Sequence, residues 1–345
     1  MSGTPETLGD LGEQLIQRRI LQPRYRGTEG FGDDSALLGT VTTPSELVAT
    51  TDSCPAPVVN LLREPDLYHA GWLLATINLS DLAAAGAEPL GLLVNYTLPK
   101  TTTVRDFERL LDGVDDCCAA HGTKVAGGDI RDGAVQLTAT AVGRCGRGSR
   151  LRRSGAQAGD RLLLVGSAGY LWAAALLETG RATLPAEAHD AIWDQACRPM
   201  AQLKAGQILA TTGYARAAMD VSDGLFATIR TLCEANGLGA VVTGEFALDE
   251  PVAEVAAQCG LRPFDLAQTW GDWGLVVVVR EADVRLVQKT LREEGIPVQE
   301  IGMLTKDTAI TKGTAPWDGI AQERFSATSW HGGELSTLLT EVLGG

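Results

Sequence analysis

The spacing of hydrophobic residues predicts helices and short strands that alternate along the whole chain. The clearest helix is expected over 66–85, because its apolar run is followed by Gly86 and then by Pro89. Another helix is predicted over 104–121. The run of Leu and Val over 275–279 is typical of a buried strand.

Shorter segments complete the pattern. An amphipathic helix is expected over 8–21, while the proline-rich segment 55–65 should not form a regular helix. Further strands are predicted over 35–38, 47–51, 90–98, 124–126, 135–142, 160–166 and 217–221. Further helices are predicted from Gly169 through Leu177 and over 200–211, 225–235 and 282–294.

Both halves mix strands with helices, which predicts an α+β fold, with a mixed α/β fold as the alternative. A chain of 345 residues is too long for one typical core and indicates two domains. A basic, glycine-containing stretch over 144–154 separates the halves. We therefore expect domains at 1–148 and 149–345.

The charge excludes several kinds of partner. The formal net charge is -14, whereas nucleic acids and anionic membranes are bound by clustered Lys and Arg. The first residues lack the apolar segment of a signal peptide, and the seven cysteines form no C-x-x-C pair. These features predict a cytoplasmic protein with reduced thiols, no membrane segment and no nucleic-acid partner.

Seven aspartates differ from ordinary surface carboxylates, because they stand among glycines, hydroxyls and apolar residues. They are Asp33, Asp34, Asp52, Asp81, Asp129, Asp220 and Asp223. A carboxylate near a buried surface requires a proton, a basic partner or a cation. Lys and Arg are scarce near most of these aspartates, so a hard divalent cation such as Mg²⁺ is the expected partner.

Spacing predicts which of these side chains point the same way. Asn78 and Asp81 are three residues apart on one helix face, and Asp220 and Ser222 are two apart on a probable strand. Asp223 can begin the next helix as its N-cap, which is also the alternative to a functional role.

Glycines before Asp129 predict a phosphate-binding turn. Gly127-Gly128-Asp129 is expected to follow a strand, where glycine lets a phosphate approach the backbone; a plain turn is the alternative. The chain contains no P-loop, dinucleotide fingerprint or nucleophile elbow, and its four histidines lack metal-binding spacing.

Together these motifs resemble the thiamine-monophosphate kinase family, in the superfamily that also contains aminoimidazole ribonucleotide synthetase and selenophosphate synthetase. The resemblance spans nearly the whole chain. Its most specific segment is 78–89, which closely follows N-L-S-D-L-A-A-M-G-A-x-P. The other matching segments lie at 12–16, 32–36, 50–52, 127–129, 153–160 and 220–225.

The resemblance implies an N-terminal sheet that pairs across a homodimer, a C-terminal α/β sandwich, and ATP bound between the domains. It implies Mg²⁺ ions held by Asp33, Asp52, Asp81, Asp129, Asp220 and Asp223, with oxygens from Thr50 and Thr51. Asp33, Asp129 and Asp223 are the catalytic candidates. Arg153 and Ser222 would contact the phosphates, and Gly128 would lie against the nucleotide.

The chain departs from the family on the substrate side. Val59 stands where the family has a substrate-contacting histidine, and Asp272 replaces a substrate-binding glutamate within the segment 270–274. Trp330 can replace a C-terminal aromatic residue that packs on the substrate. Trp270 and Trp273 either reshape this pocket or pack in the core.

The resemblance implies a kinase that converts ATP and thiamine phosphate to ADP and thiamine diphosphate. The alternative is a related ATP-dependent synthetase that phosphorylates an amide or carboxyl oxygen for attack by a nitrogen nucleophile. The substrate would then be a small phosphate or a carboxamide. A nucleotide-binding protein without catalytic activity is the third hypothesis.

Overall fold

The computed structural model describes residues 6–26, 44–243 and 245–317. Asp33, Asp34, Trp330 and the strand predicted over 35–38 therefore lie outside the described residues. Within those described ranges, no helix is long and apolar enough to cross a membrane.

The N-terminal half contains a four-stranded sheet in the order β1-β4-β2-β3. Its strands are β1 (Ser45–Ser53), β2 (Glu88–Leu98), β3 (Val125–Asp132) and β4 (Gln136–Gly146). β4 pairs antiparallel with β1 and β2, whereas β2 and β3 are parallel. Alternate residues of β4 are buried, because successive side chains of a strand point to opposite faces.

Several helical segments accompany this sheet. They are α1 (Leu8–Leu11), α2 (Glu13–Ile16), a π-helical turn (Gln17–Leu21), α3 (Gln22–Arg24), α4 (Val59–Leu62), α5 (Leu67–Ala85) and α6 (Val104–Ala120). Of these, α5 and α6 pack on the buried face of the sheet. The single helix predicted over 8–21 is wrong, because Gly12 adopts a φ of 70° and interrupts it. α5 begins where the Asp66 carboxylate accepts the Tyr68 N–H at 2.8 Å, and it ends at the left-handed Gly86.

The C-terminal half contains a seven-stranded sheet in the order β11-β10-β7-β9-β5-β8-β6. Its strands are β5 (Arg161–Val165), β6 (Ala215–Asp220), β7 (Gly239–Val242), β8 (Leu275–Val279), β9 (Val298–Thr305), β10 (Ile310–Lys312) and β11 (Ala315–Pro316). Every residue of β8 is buried, which confirms the strand predicted there.

Eight helical segments accompany this second sheet among the described residues. They are α7 (Tyr170–Glu178), α8 (Ala186–Cys197), α9 (Leu203–Thr212), α10 (Leu225–Asn236), α11 (Glu250–Gln258), α12 (Pro263–Ala267), a 3₁₀ turn (Glu281–Asp283) and α13 (Val284–Glu293). The two sheets with their helices confirm the predicted α+β class.

α5 is the helix on which the two halves meet. A β-carbon added to Gly206 of α9 would lie 2.0 Å from the Ala83 carbonyl oxygen, so only glycine permits this close approach. The Trp72 indole N–H donates to the Pro199 carbonyl at 2.9 Å. These contacts hold α5 against the C-terminal half as well as against its own sheet.

Candidate functional site

The end of β6 and the centre of α5 bring together several predicted site residues. Asp220 is the last residue of β6, only 3% exposed, and it accepts a hydrogen bond from the Ser80 hydroxyl at 3.0 Å. Burial raises the pKa of Asp220 to about 7, and the negative charges of Asp81 and Asp223 act in the same direction. The Ser80 hydrogen bond and the positive charge of Arg153 oppose this shift. These five residues therefore share one electrostatic environment.

β1 contributes to the same environment through one of its faces. The Thr50 hydroxyl donates to the Asp81 carboxylate at 2.5 Å, and the Asp52 N–H donates to the Asn78 side-chain oxygen at 3.1 Å. Thr51 lies on the other face of the strand, and its hydroxyl donates to a main-chain carbonyl of β4 at 2.9 Å. Thr50 and Thr51 therefore point to opposite sides of the sheet.

Asp129 lies apart from this cluster. The prediction that Gly127-Gly128-Asp129 follows a strand is wrong, because all three residues lie inside β3. Strand register places Asp129 in one row with Ser53, three strand spacings or roughly 14 Å away. The exposed Asp129 carboxylate lies 3.7 Å from the Arg131 guanidinium.

The loop after β6 is held by main-chain contacts. The Val221 N–H donates to the Gly274 carbonyl at 2.8 Å, and the Thr228 hydroxyl donates to the Asp220 carbonyl at 3.0 Å. α10 has Gly224 as its N-cap residue, so the prediction that Asp223 caps this helix is wrong. The half-buried Ser222 lies in this loop, after the strand has ended at Asp220.

A groove with acidic and basic walls opens beside the carboxylates. It has a volume of about 480 Å³ and is lined by Asp81 together with Arg150, Arg152 and Arg153. The basic segment runs alongside β6, because the Ala218 N–H donates to the Arg152 carbonyl at 2.9 Å. The sequence did not identify Arg150 and Arg152 as site residues. They belong to the basic stretch 144–154, which was interpreted only as a domain boundary.

The substrate-side candidates meet at a second place. Val59, Trp270 and Trp273 are buried and line a cavity of about 30 Å³, large enough for roughly one or two water molecules. α4, which begins at Val59, is held nearby by Arg63, whose guanidinium donates to Glu178 at 2.8 and 2.5 Å.

Asp272, the other substrate-side candidate among the described residues, bonds to the start of a helix. Its carboxylate accepts the N–H groups of Gly169, Tyr170 and Leu171 at 2.6, 3.1 and 3.3 Å, so it stabilises the start of α7. Burial raises the pKa of Asp272 to about 6, although these three N–H groups favour the charged form. Contact between Asp272 and a substrate would have to share or break these bonds.

The raised pKa of Asp272 predicts a pH-dependent stability. Its folded pKa lies above the usual value of 3.8, so its stabilising contribution is complete below about pH 4 and is lost as pH rises through about 6. The stability of the wild-type protein relative to Asp272→Asn should therefore decrease between pH 4 and pH 7, in urea unfolding at each pH. A difference that stays constant or increases would mean that the N–H groups outweigh burial.

The carboxylates are hard oxygen donors, and buried Asp220 gains from a nearby positive charge, so the residues present fit a magnesium ion. Among the described residues, no three His, Cys, Asp or Glu side chains gather as a complete ligand group. Mg²⁺ commonly takes one or two carboxylates and completes its shell with water and phosphate oxygens. The arrangement around Asp81 and Asp220 suits that mode of binding.

Comparison with known proteins identifies the family. Residues 32–145 match the model described as AIR synthase related protein, N-terminal domain, and residues 157–312 match its C-terminal domain. The thiamine-monophosphate kinase of Escherichia coli O157:H7 is 30% identical over 295 residues, which cover 84% of this chain and 88% of that protein. The chain belongs to the thiamine-monophosphate kinase family.

Solved structures agree with this assignment. Thiamine-monophosphate kinase from Stenotrophomonas maltophilia K279a superposes with a TM-score of 0.72 and 26% identity, over 88% of this chain and 97% of that one. AaThiL complexed with AMPPCP and TMP has a TM-score of 0.70 and 24% identity, over 94% of this chain and 100% of that one. The family is one of kinases, so the predicted enzyme class and two-domain fold are confirmed.

Proposed function

We propose that the protein is a cytoplasmic, ATP- and Mg²⁺-dependent kinase that phosphorylates thiamine monophosphate to thiamine diphosphate. The observation that carries the proposal is buried Asp220, which feels the charges of Asp81, Asp223 and Arg153 at the contact between the two halves of a chain from this family. The related AaThiL complex contains AMPPCP, a non-hydrolysable analogue of ATP, together with TMP.

The described residues suit phosphoryl transfer. The terminal phosphate oxygen of the acceptor would attack the γ-phosphorus of ATP while the bond from that phosphorus to the β–γ bridging oxygen breaks and ADP leaves. Such a transfer depends on positioning and charge neutralisation more than on covalent catalysis. Arg153 lines the groove beside Asp81 and would pair with phosphate oxygens, as Ser222 in the neighbouring loop would by donating its hydroxyl.

Some of the candidate carboxylates lie near Asp220, whereas Asp129 lies apart from them on β3. Asp81 and Asp220 would hold Mg²⁺ together with water and phosphate oxygens, and Asp52, Asp223 and the Thr50 hydroxyl would assist from nearby. The cation would supply the charge neutralisation that lets polyphosphate approach an acidic site. Gly128 and Asp129 lie on β3, across the sheet from Asp52. We propose that their nucleotide and metal contacts, like those of Asp33, belong to the same phosphate-binding region.

We propose a homodimer that forms through the open face of the four-stranded sheet. Leu47 is 60% exposed on that face of β1, with Ala49 and Thr51 exposed beside it at alternate positions. A sheet face that helices leave open and that carries an exposed leucine can be buried against the same face of a second copy.

One observation favours a different acceptor. Val59, Trp270 and Trp273 close their cavity to about 30 Å³, and the Asp272 carboxylate is occupied by three N–H groups. The second candidate function is therefore an ATP-dependent synthetase that phosphorylates an amide or carboxyl oxygen of another small metabolite. The synthetase would use the same carboxylates and Arg153 as the kinase. The two enzymes would differ only in the acceptor molecule that the substrate pocket binds.

Turnover with defined acceptors tests the proposal. We expect the purified protein, given ATP, Mg²⁺ and thiamine monophosphate, to form ADP and thiamine diphosphate in equal amounts, as measured by chromatography. Sedimentation of the same protein measures its oligomeric state. ADP release that requires a carboxylate or carboxamide metabolite instead would support the synthetase. ATP binding without ADP formation from any acceptor would leave only a nucleotide-binding protein.

A further inference from the structure

The centre of α5 contains three fully buried polar side chains, Thr76, Asn78 and Ser80. A buried polar group is costly unless it is hydrogen-bonded, so each of these side chains requires a partner. Ser80 bonds to the C-terminal half of the chain, and Asn78 bonds within the N-terminal half. The Thr76 hydroxyl is shared between the Pro199 carbonyl of the C-terminal half and the Trp72 carbonyl of its own helix.

The hydrogen bond from Ser80 joins the two halves at the carboxylates themselves. The Ser80 hydroxyl donates to Oδ2 of Asp220 at 3.0 Å across 140 residues of sequence. Asp81 follows directly and accepts from Thr50 of β1, while Asn78 accepts the Asp52 N–H. About one turn of α5 therefore contacts both strands that carry the candidate ligands.

The position of Ser80 is fixed by the packing of its helix. A β-carbon at Gly206 would lie 2.0 Å from the Ala83 carbonyl oxygen, so α5 and α9 touch backbone to backbone less than one turn from Ser80. A β-carbon at Gly71 would lie 2.1 Å from the Leu110 carbonyl oxygen, which fixes α5 against α6 as well. α5 cannot slide between the halves without breaking one of these contacts.

We propose that Ser80 is a positioning residue that orients the Asp220 carboxylate for metal binding at the boundary between the two halves. The hydroxyl donates to Oδ2, so it favours one orientation of the carboxylate. This proposal rests on the proposed function, because it assigns Asp220 to the metal that accompanies the nucleotide. Ser80 itself contacts neither the metal nor the substrate.

Thr76 provides a matched control on the same helix. It lies one turn before Ser80 and is equally buried. Its hydroxyl lies 3.0 Å from both the Pro199 carbonyl of the C-terminal half and the Trp72 carbonyl of its own helix. Thr76→Val and Ser80→Ala each remove one buried hydroxyl bond between the halves. Only the second removes a bond to a carboxylate of the site.

Metal affinity distinguishes the two roles. We expect Ser80→Ala to weaken binding of Mn²⁺ in the presence of AMPPCP by about 10- to 100-fold, the usual effect of removing a group that orients a ligand. Electron paramagnetic resonance measures the free Mn²⁺. Thr76→Val should bind Mn²⁺ within about twofold of wild type, although its urea midpoint falls as that of Ser80→Ala does.

A double variant tests whether Ser80 acts through Asp220. In the Asp220→Asn background, Ser80→Ala should cause no further loss of Mn²⁺ affinity, because the group that it orients is already neutral. Should Ser80→Ala fail to fold, Ser80→Cys retains the volume with a weaker donor and should give an intermediate affinity.

Three outcomes overturn the positioning role. If wild type binds Mn²⁺ with AMPPCP and Ser80→Ala binds it equally well, Ser80 is only a structural hydrogen bond. If the losses from Ser80→Ala and Asp220→Asn add fully, Ser80 does not act through Asp220. If wild-type protein binds no Mn²⁺ with AMPPCP, the proposed function falls first and the role of Ser80 falls with it.

Discussion

Replacement of Asp220 by asparagine should reduce turnover by about 10²- to 10⁴-fold while leaving the protein folded. Asparagine preserves the size of the side chain and an oxygen that can accept from Ser80, but it removes the negative charge. That charge is costly in a buried site next to Asp81, and the cost appears as a pKa of Asp220 raised to about 7. The metal-free variant should therefore unfold at pH 8 with a free energy no lower than that of wild type.

The opposite directions of these two effects make the prediction specific. A fall in activity that comes from misfolding would lower the free energy of unfolding as well. Asp160 supplies the control, because it is a buried carboxylate of the same half that accepts the Gln157 N–H at 2.8 Å and lies 3.4 Å from Arg216. Asp160→Asn should lower stability with little change in kcat, and the assignment of Asp220 fails if the two variants behave alike.

Replacement of Gly128 by alanine should destabilise the protein on the order of 3 kcal/mol or more. A β-carbon at this position would lie 1.8 Å from the Val94 carbonyl oxygen, and Val94 is the residue opposite Gly128 in the parallel pair of β2 and β3. The strands would have to separate at this point. Urea unfolding of the ligand-free protein measures the loss.

Gly133→Ala is the control for this effect. Its added β-carbon would lie 2.7 Å from the γ-methyl group of Thr97, which is a side-chain atom rather than backbone, so a change of the Thr97 rotamer can relieve the contact without separating strands. A stability loss in Gly128→Ala but not in Gly133→Ala would support the interpretation that glycine is required at position 128 for β2 and β3 to pair. Unchanged stability with weakened AMPPCP binding would contradict it and would leave contact with the nucleotide as the reason for this glycine.

The long helices were well predicted from the sequence, because their boundary signals are local. α5 was expected over 66–85 and occupies Leu67–Ala85, with Asp66 before it and Gly86 after it as capping residues. β8 was expected over 275–279 and has those bounds, since an unbroken run of Leu and Val suits a strand with both faces covered. In both cases the residues that define the element are adjacent in the chain.

Short elements were less predictable. The 8–21 segment has helical periodicity, but Gly12 interrupts the helix. Neither α8 nor α11 was predicted from the sequence. The strand β3 continues through Gly127 and Gly128, where the sequence indicated a turn. Glycine is permitted in both a strand and a turn, and here the close contact with Val94 decides for the strand.

The sequence alone determined the α+β class, the kinase family and the kinds of atoms in the candidate site, because composition, local patterning and short motifs are all encoded by neighbouring residues. The tertiary structure decided which of those residues meet. It joined Ser80 to Asp220, placed Arg150 and Arg152 beside Asp81, and separated Asp129 from them on another strand. The physical reason is that each of these relations depends on helix packing or strand register between segments distant in the chain, which local patterns do not specify.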